Sequence, residues 1–207
     1  MQKASIKELN HLLGNIDIYL LDQILKARFD HDFKIPDAGC GEGRNLIYFL
    51  RNDYQVWGID KNNDAIQMLK YLAKSIKKEY PLDRFMSGDV EKMPYADFEF
   101  DALISSAVLH FAENTNHFIS MMEELVRVLK PGGILFARMT TEVGMEDTIK
   151  PIGNGKYILP DESIRFLLTK QLLKDMIDRF GFEFIEPFKT VIVDNKRCMS
   201  TLVLKNR

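Results

Sequence analysis

Short apolar runs alternate with stretches of helical periodicity along this chain, and that alternation limits its fold more than any other feature. "FKIPDA", "YQVWGID", "RFMSGD", "FDALISSA" and "ILFARM" read as strands. Between them, "RNLIYFLRN" reads as a helix beginning near Arg44. Ala65, Met68, Leu69, Leu72, Ala73 and Ile76 then recur on one helical face. Phe118, Met121, Met122, Leu125, Val126 and Leu129 repeat that pattern until "LKPGG" breaks it. Strands joined by helical crossovers run parallel, so the chain is expected to be α/β, with helices on both faces of its sheet. Ligands of such sheets bind at the carboxyl ends of the strands.

The ends of the chain depart from this alternation. Helical patterns around Ile6 to Leu13 and Ile16 to Lys26, separated by Gly14, make residues 1–33 an expected helical cap. Residues 140–168, with Gly144, Gly153 and Gly155, read as a long insertion and a candidate mobile lid. After a helix over Lys170 to Phe180 come "FEFIEPFKTVIV" and "CMSTLVLK", separated only by "DNKR". That linker is too short for a helical crossover, so the two runs should pair as an antiparallel hairpin. A length of 207 residues suits one domain, 1–207, with a well-buried core.

The first strand leads into "IPDAGCGEGRN", where Gly39, Gly41 and Gly43 occupy every second position. Such a turn lets backbone approach a cofactor closely. The dinucleotide fingerprint G-x-G-x-x-G places its third glycine where this chain has Arg44, and no Gly-Lys-Ser/Thr follows to make a phosphate loop. Three strand ends also carry acids. Asp37 precedes the glycines, Asp60 closes "VWGID", and Asp89 lies in "GDVEKMPY". Asp60 can accept from both hydroxyls of a ribose, or simply start the turn in "DKNND". Asp89 can accept from an adenine amine, and Val90 can offer the ring an apolar wall and a backbone amide. Glu91, further from the strand end, reads as solvated surface. Asp37 can brace the turn, and Arg44 and Asn45 can be ligand contacts or helix-start residues. Cys40 reads as a small side chain packed behind the loop.

Charge and composition remove several function classes. Lys and Arg number 28 against 30 acidic residues, a net charge of −2, which is not the basic surface of a nucleic-acid binder. No apolar stretch is long enough to span a bilayer, and "MQKASIKELNHLLGN" lacks the apolar core of a secretion signal. Cys40 and Cys198 match no metal-ligand spacing, so no metal is expected. Few thiols and no signal suit a reducing cytoplasm.

With its motifs in this order, the chain resembles the class I S-adenosylmethionine-dependent methyltransferases over nearly its whole length. "DAGCGEG", Asp60, "GDVEKMP" and "LVRVLKPGG" are similar to successive motifs of that family, and "GEGRN" more narrowly resembles its tellurite-resistance and small-molecule branch. The resemblance implies a Rossmann-like, mostly parallel seven-stranded sheet whose seventh strand runs antiparallel beside the fifth. It implies S-adenosylmethionine as cofactor and a small-molecule methyl acceptor as partner, with neither nucleic acid nor membrane involved. By position, Gly39, Gly41 and Gly43 would meet the methionyl portion, Asp37 the ammonium group, Asp60 the ribose, and Asp89 with Val90 the adenine. The amides of a helix starting near Arg44 would favour the ligand's carboxylate.

Methyl transfer from a sulfonium is an in-line displacement, so alignment and desolvation can supply much of the catalysis. A base matters only where the acceptor must lose a proton. "SSAVLHF", after the fourth strand, lacks the Asn/Asp-Pro-Pro-Tyr/Phe pattern of enzymes that methylate amino groups on DNA bases or protein glutamine. Its His110 is the candidate base, or else a histidine bonded to backbone beneath a cap. Ser105 and Ser106 have no His/Asp partner pattern. Arg138 can meet an acidic acceptor group or pair with a carboxylate. Tyr19 and Phe29 of the cap, and Met139, Met145 and Tyr157, are candidates to cover the cofactor and a partly apolar acceptor. Two rival functions remain: an NAD-dependent oxidoreductase, and a protein that binds S-adenosylmethionine without transferring its methyl.

Overall fold

The computed structural model describes residues 5–207, which form two compact units, one reaching to Val90 and the other running from Glu91 to Arg207.

In the first unit, α1 (Ile6–Leu13) opens with a capping box. The Glu8 amide donates to Ser5 Oγ at 3.2 Å and the Ser5 amide to Glu8 Oε2 at 2.6 Å. α2 (Ile18–Leu25) is capped by Asp17, which accepts from the Tyr19 amide. Then follow β1 (Lys34–Ala38), α3 (Ile47–Arg51), β2 (Gln55–Asp60), α4 (Asn63–Ile76) and β3 (Phe85–Ser87). β1, β2 and β3 pair in parallel, with Asp37 opposite Gly58 and Asp60 opposite Ser87. Asn62 caps α4, whose buried face is Ala65, Ile66, Leu69 and Ala73. Met68, expected on that face, is 53% exposed. α3 begins at Ile47, three residues beyond Arg44, because residues 44–46 form a turn. The cap's Phe29 is used in packing, edge-on to the buried Phe49.

The second unit contains β4 (Phe100–Ser106), a single 3-10 turn over Leu109–Phe111, α5 (Thr115–Val128) and β5 (Leu129–Thr141). β4 and β5 are parallel, and "KPGG" makes the irregularity in their register. Asn206 clamps that irregularity: its side chain donates to the Leu129 and Lys130 carbonyls, and its backbone exchanges bonds with Gly132 and Gly133. The insertion folds as a three-stranded antiparallel sheet, β6 (Lys150–Gly153), β7 (Lys156–Ile158) and β8 (Ile164–Phe166). Met145, Ile149, Leu159, Leu167 and Cys198 form an apolar cluster beneath it. α6 (Lys170–Phe180) has the bounds its periodicity predicts.

The terminal hairpin forms as expected. β10 (Lys189–Val193) pairs antiparallel with β11 (Arg197–Lys205), and β11 lies antiparallel to β5. The run before it is split at Pro187, which cannot donate to a ladder, so β9 (Glu183–Phe184) is a separate short strand on β11. The pairings bear out the α/β class, with parallel strands early and an antiparallel end. Among the described residues, no helix is long and apolar enough to cross a membrane.

Candidate active site

At the end of β1 the chain turns sharply across β2. The Gly39 and Cys40 amides both donate to the Ile59 carbonyl, at 2.8 and 3.0 Å. Gly39, Gly41 and Gly43 take φ values of 82°, 51° and 84°, in the region that side chains with a Cβ rarely adopt. Their surroundings differ. A Cβ on Gly43 would lie 2.3 Å from Leu69 Cδ1, so that glycine lets the turn pack against α4. A Cβ on Gly41 would point into open space, where a ligand can reach the backbone. Cys40 is buried, with its Sγ against Gly58, and burial pushes its thiol pKa up; it packs behind the loop as expected.

Asp60 holds this turn. Its Oδ2 accepts from the Gly41 amide at 2.8 Å, and its Oδ1 accepts from the Asn62 amide at 2.9 Å. The turn-starting role and the strand-end position therefore coexist, and each oxygen keeps a lone pair for a hydroxyl. The Asp60 carbonyl accepts from Gly88, which fixes the loop carrying Asp89. Asp89 is exposed and Val90 buried. Glu91 is exposed, as expected, and lies 3.2 Å from His117 Nε2.

Asp37 is the unusual group. It is 1% exposed, and its oxygens make no well-formed hydrogen bond, Asn45 being the one side chain that offers a weak one. Burial pushes its pKa up to about 7; Asp60 adds to this, while Arg44 and Asn45 oppose it. A buried carboxylate without well-formed hydrogen bonds is costly unless a cation or donor completes it. The turn thus fits a ligand that brings an ammonium group, a diol and close backbone contact, which are features of S-adenosylmethionine.

Arg44 and Asn45 serve the N-terminal helices. Asn45 Oδ1 accepts from the Asp17 amide at 3.1 Å, and Arg44 lies 3.8 Å from Asp17 Oδ2. Asp17, which the sequence reading missed, thereby ties the start of α2 to the glycine turn. Its position before "IYLLDQIL" marks a helix cap, but nothing in the sequence pairs it with Asn45. The helix expected to start near Arg44 starts at Ile47, has five residues, and its Leu46 cap makes no side-chain bond.

In the second unit, His110 follows β4 and is 7% exposed, with Nδ1 unpartnered. The backbone bond expected of a structural histidine is thus absent at Nδ1. Burial, with Arg165, Arg197 and Arg138 around it, lowers its pKa to about 4, so the ring is neutral at pH 7. Ala107, His110, Arg138, Thr140, Arg165, Val193, Arg197 and Met199 enclose a cavity of about 290 Å³. Sequence reasoning singled out His110 and Arg138 but not Arg165 or Arg197. Ser105 is fully buried in β4, opposite Ala137.

Residues 36–137 match the family model described as a methyltransferase domain. The chain is 31% identical over 157 residues to the uncharacterized methyltransferase YodH of Bacillus subtilis, covering 76% of this chain and 55% of YodH. It spans 35% to 55% of the length of the curated relatives it matches. Among solved structures it is similar to a SAM-dependent methyltransferase from Methanosarcina mazei, with TM-score 0.69 and 22% identity, covering 88% of this chain and 96% of that one. TehB from Haemophilus influenzae gives TM-score 0.65 at 18% identity, covering 97% and 65%. At these identities the two structures speak for the fold. Residues 36–137 thus match a methyltransferase domain, and over nearly its whole length the chain is similar in fold to S-adenosylmethionine-dependent methyltransferase structures.

Proposed function

We propose that this protein transfers a methyl group from S-adenosylmethionine to a small-molecule acceptor. The observation that carries the reading is Asp37, a fully buried carboxylate with no well-formed hydrogen bond, beside a glycine turn open at Gly41. S-adenosylmethionine supplies an electrophilic methyl on sulfur, and the residues of this chain hold and orient it. Asp37 faces the ammonium group, Gly39 and Gly41 lie along the methionyl portion, and Asp60 takes the ribose hydroxyls. Asp89 and Val90 flank the adenine, and Gly43 sets the turn against α4. An anionic pyrophosphate suits the turn poorly, because Asp37 and Asp60 are its acids and Arg44 is set against Asp17. His110, neutral at pH 7, is the proposed proton acceptor for acceptors that must be deprotonated. The two thiols are free and buried, which supports a reducing cytoplasm as the compartment.

Calorimetric titration with S-adenosylmethionine and with NAD tests the cofactor. Binding of NAD alone would reject the reading in favour of an oxidoreductase. Asp60→Asn should weaken S-adenosylmethionine about 10-fold or more, since hydrogen bonds to a charged acceptor are lost. Turnover is read with methyl-labelled S-adenosylmethionine and cell-extract metabolites. Retained cofactor binding with no labelled product across fractionated extracts would favour a non-transferring binder.

A further inference from the structure

We propose that the cavity bounded by His110, Arg138, Arg165 and Arg197 binds an oxyanion, and that the methyl acceptor is a small molecule carrying one. The cavity belongs to the second unit and opens where β4 and β5 end, the edge at which α/β sheets take their ligands. Three separate pairings assemble it. Arg138 lies on β5 opposite Thr201, Arg165 on β8 opposite Tyr157, and Arg197 begins β11 opposite Val193. No acidic side chain is among its lining residues. Asp161 is set against Arg197 from outside the lining, at 3.7 Å, and Arg165 donates to its neighbour's carbonyl and lies 5.1 Å over the Phe111 ring.

Three guanidiniums line one small space, with Asp161 acting on Arg197 and Arg165 from outside it, and planar forks suit carboxylate or phosphate oxygens. Ala107, Val193 and Met199 complete the wall with apolar surface. A volume of about 290 Å³ accommodates a short carbon skeleton bearing one such group. The orphaned Nδ1 of the buried His110 is the second, independent sign of an absent partner. The groups facing that ring are Arg138 of β5, Arg165 of β8 and Arg197 of β11. An anion placed among them offsets the charges that depress the imidazole, so occupancy makes His110 more basic. Anion binding and proton acceptance are therefore coupled in one cavity.

The inference rests on the methyltransferase reading only for what the anion belongs to. Its test is a titration of the full chain, following the His110 ring resonance, assigned by its loss in His110→Gln. Inorganic phosphate and succinate are compared with sodium chloride at equal ionic strength. Phosphate or succinate should raise the His110 pKa by about 1–3 pH units, and which of them does so distinguishes phosphate from carboxylate recognition. Arg165→Gln and Arg197→Gln should each weaken that anion about 10-fold or more, with partial recovery in the lysine variants. Where a variant is unstable in acid, proton uptake on anion binding at pH 6 gives the same readout by calorimetry. An unmoved resonance, or an equal response to chloride, overturns the inference. S-adenosylmethionine titration is run separately. Its failure with the anion response intact rejects the methyltransferase reading and leaves the anion site standing.

Discussion

Asp37 and Asp60 sit one strand apart and solve different problems. Asp60 already has two backbone donors, so its charge is satisfied before any ligand arrives. Asp37 has none, and burial lifts its pKa from 3.8 to about 7. A carboxyl with a folded pKa above its unfolded value binds more protons when folded. Stability should therefore fall as pH rises from about 4 to about 7 and then level off. A ligand ammonium beside Asp37 favours its ionised form, so cofactor binding at pH 6 should release close to one proton per site. Calorimetry in buffers of different ionisation enthalpy measures this directly. Asp37→Asn should flatten the pH dependence of stability, abolish proton release and weaken the cofactor about 10-fold or more. Proton release unchanged in that variant would contradict the assignment. The sequence showed Asp37 and Asp60 as strand-end acids, because a strand followed by glycines is a local pattern. It could not show that one is held by two backbone amides and the other by none, since that depends on how the turn folds back over Ile59 and Asp60. Asp17 was invisible as a partner of Asn45 for the same reason, being 28 residues away.

Elements with a strong period or an unambiguous linker were legible: α6 and the terminal hairpin appear where the pattern puts them, and the β5–β11 pairing where the family resemblance puts it. The insertion was not. β6 is exposed along its whole length and β7 half-buried throughout, so neither shows the alternation by which a strand is read. Its expected mobility is also narrowed by its base. Phe166 stacks on Phe118, with ring centroids 5.0 Å apart and both rings fully buried. The Leu168 amide donates to the Thr140 carbonyl, and Thr140 Oγ1 to the Phe166 carbonyl. Any lid motion therefore belongs to the exposed tip around Ile152 to Asn154, with the base fixed. Hydrogen exchange should find the Leu167 and Leu168 amides strongly protected and those of residues 152–154 fast. Phe166→Ala should lower stability by about 3–5 kcal/mol, seen as a lower urea midpoint, and speed exchange at Leu168. Uniformly fast exchange across residues 140–168 in the unmutated protein would restore the idea of a wholly mobile insertion.

At the scale of the molecule, length suggested one domain, whereas the packed chain resolves into two compact units meeting in sequence at Val90 and Glu91. The family match runs from 36 to 137 and so crosses that boundary. We therefore propose that the two units are halves of one methyltransferase domain and unfold together. The cofactor supplies the test, because the residues proposed to hold it belong to the first unit alone. A ligand that binds only the folded state stabilises by about 2.7 kcal/mol at 100 times its Kd. For a cooperative chain of this size each kcal/mol raises the melting temperature by about 2–4 °C, a total of about 5–11 °C. One domain predicts a single calorimetric transition, with equal calorimetric and van't Hoff enthalpies, that moves as a whole when S-adenosylmethionine is added. Two independent units predict two transitions, of which only the one containing the glycine turn moves. Tryptophan fluorescence assigns them: Trp57, the single tryptophan, reports the first unit, and under cooperative unfolding its signal coincides with far-ultraviolet circular dichroism of the whole chain.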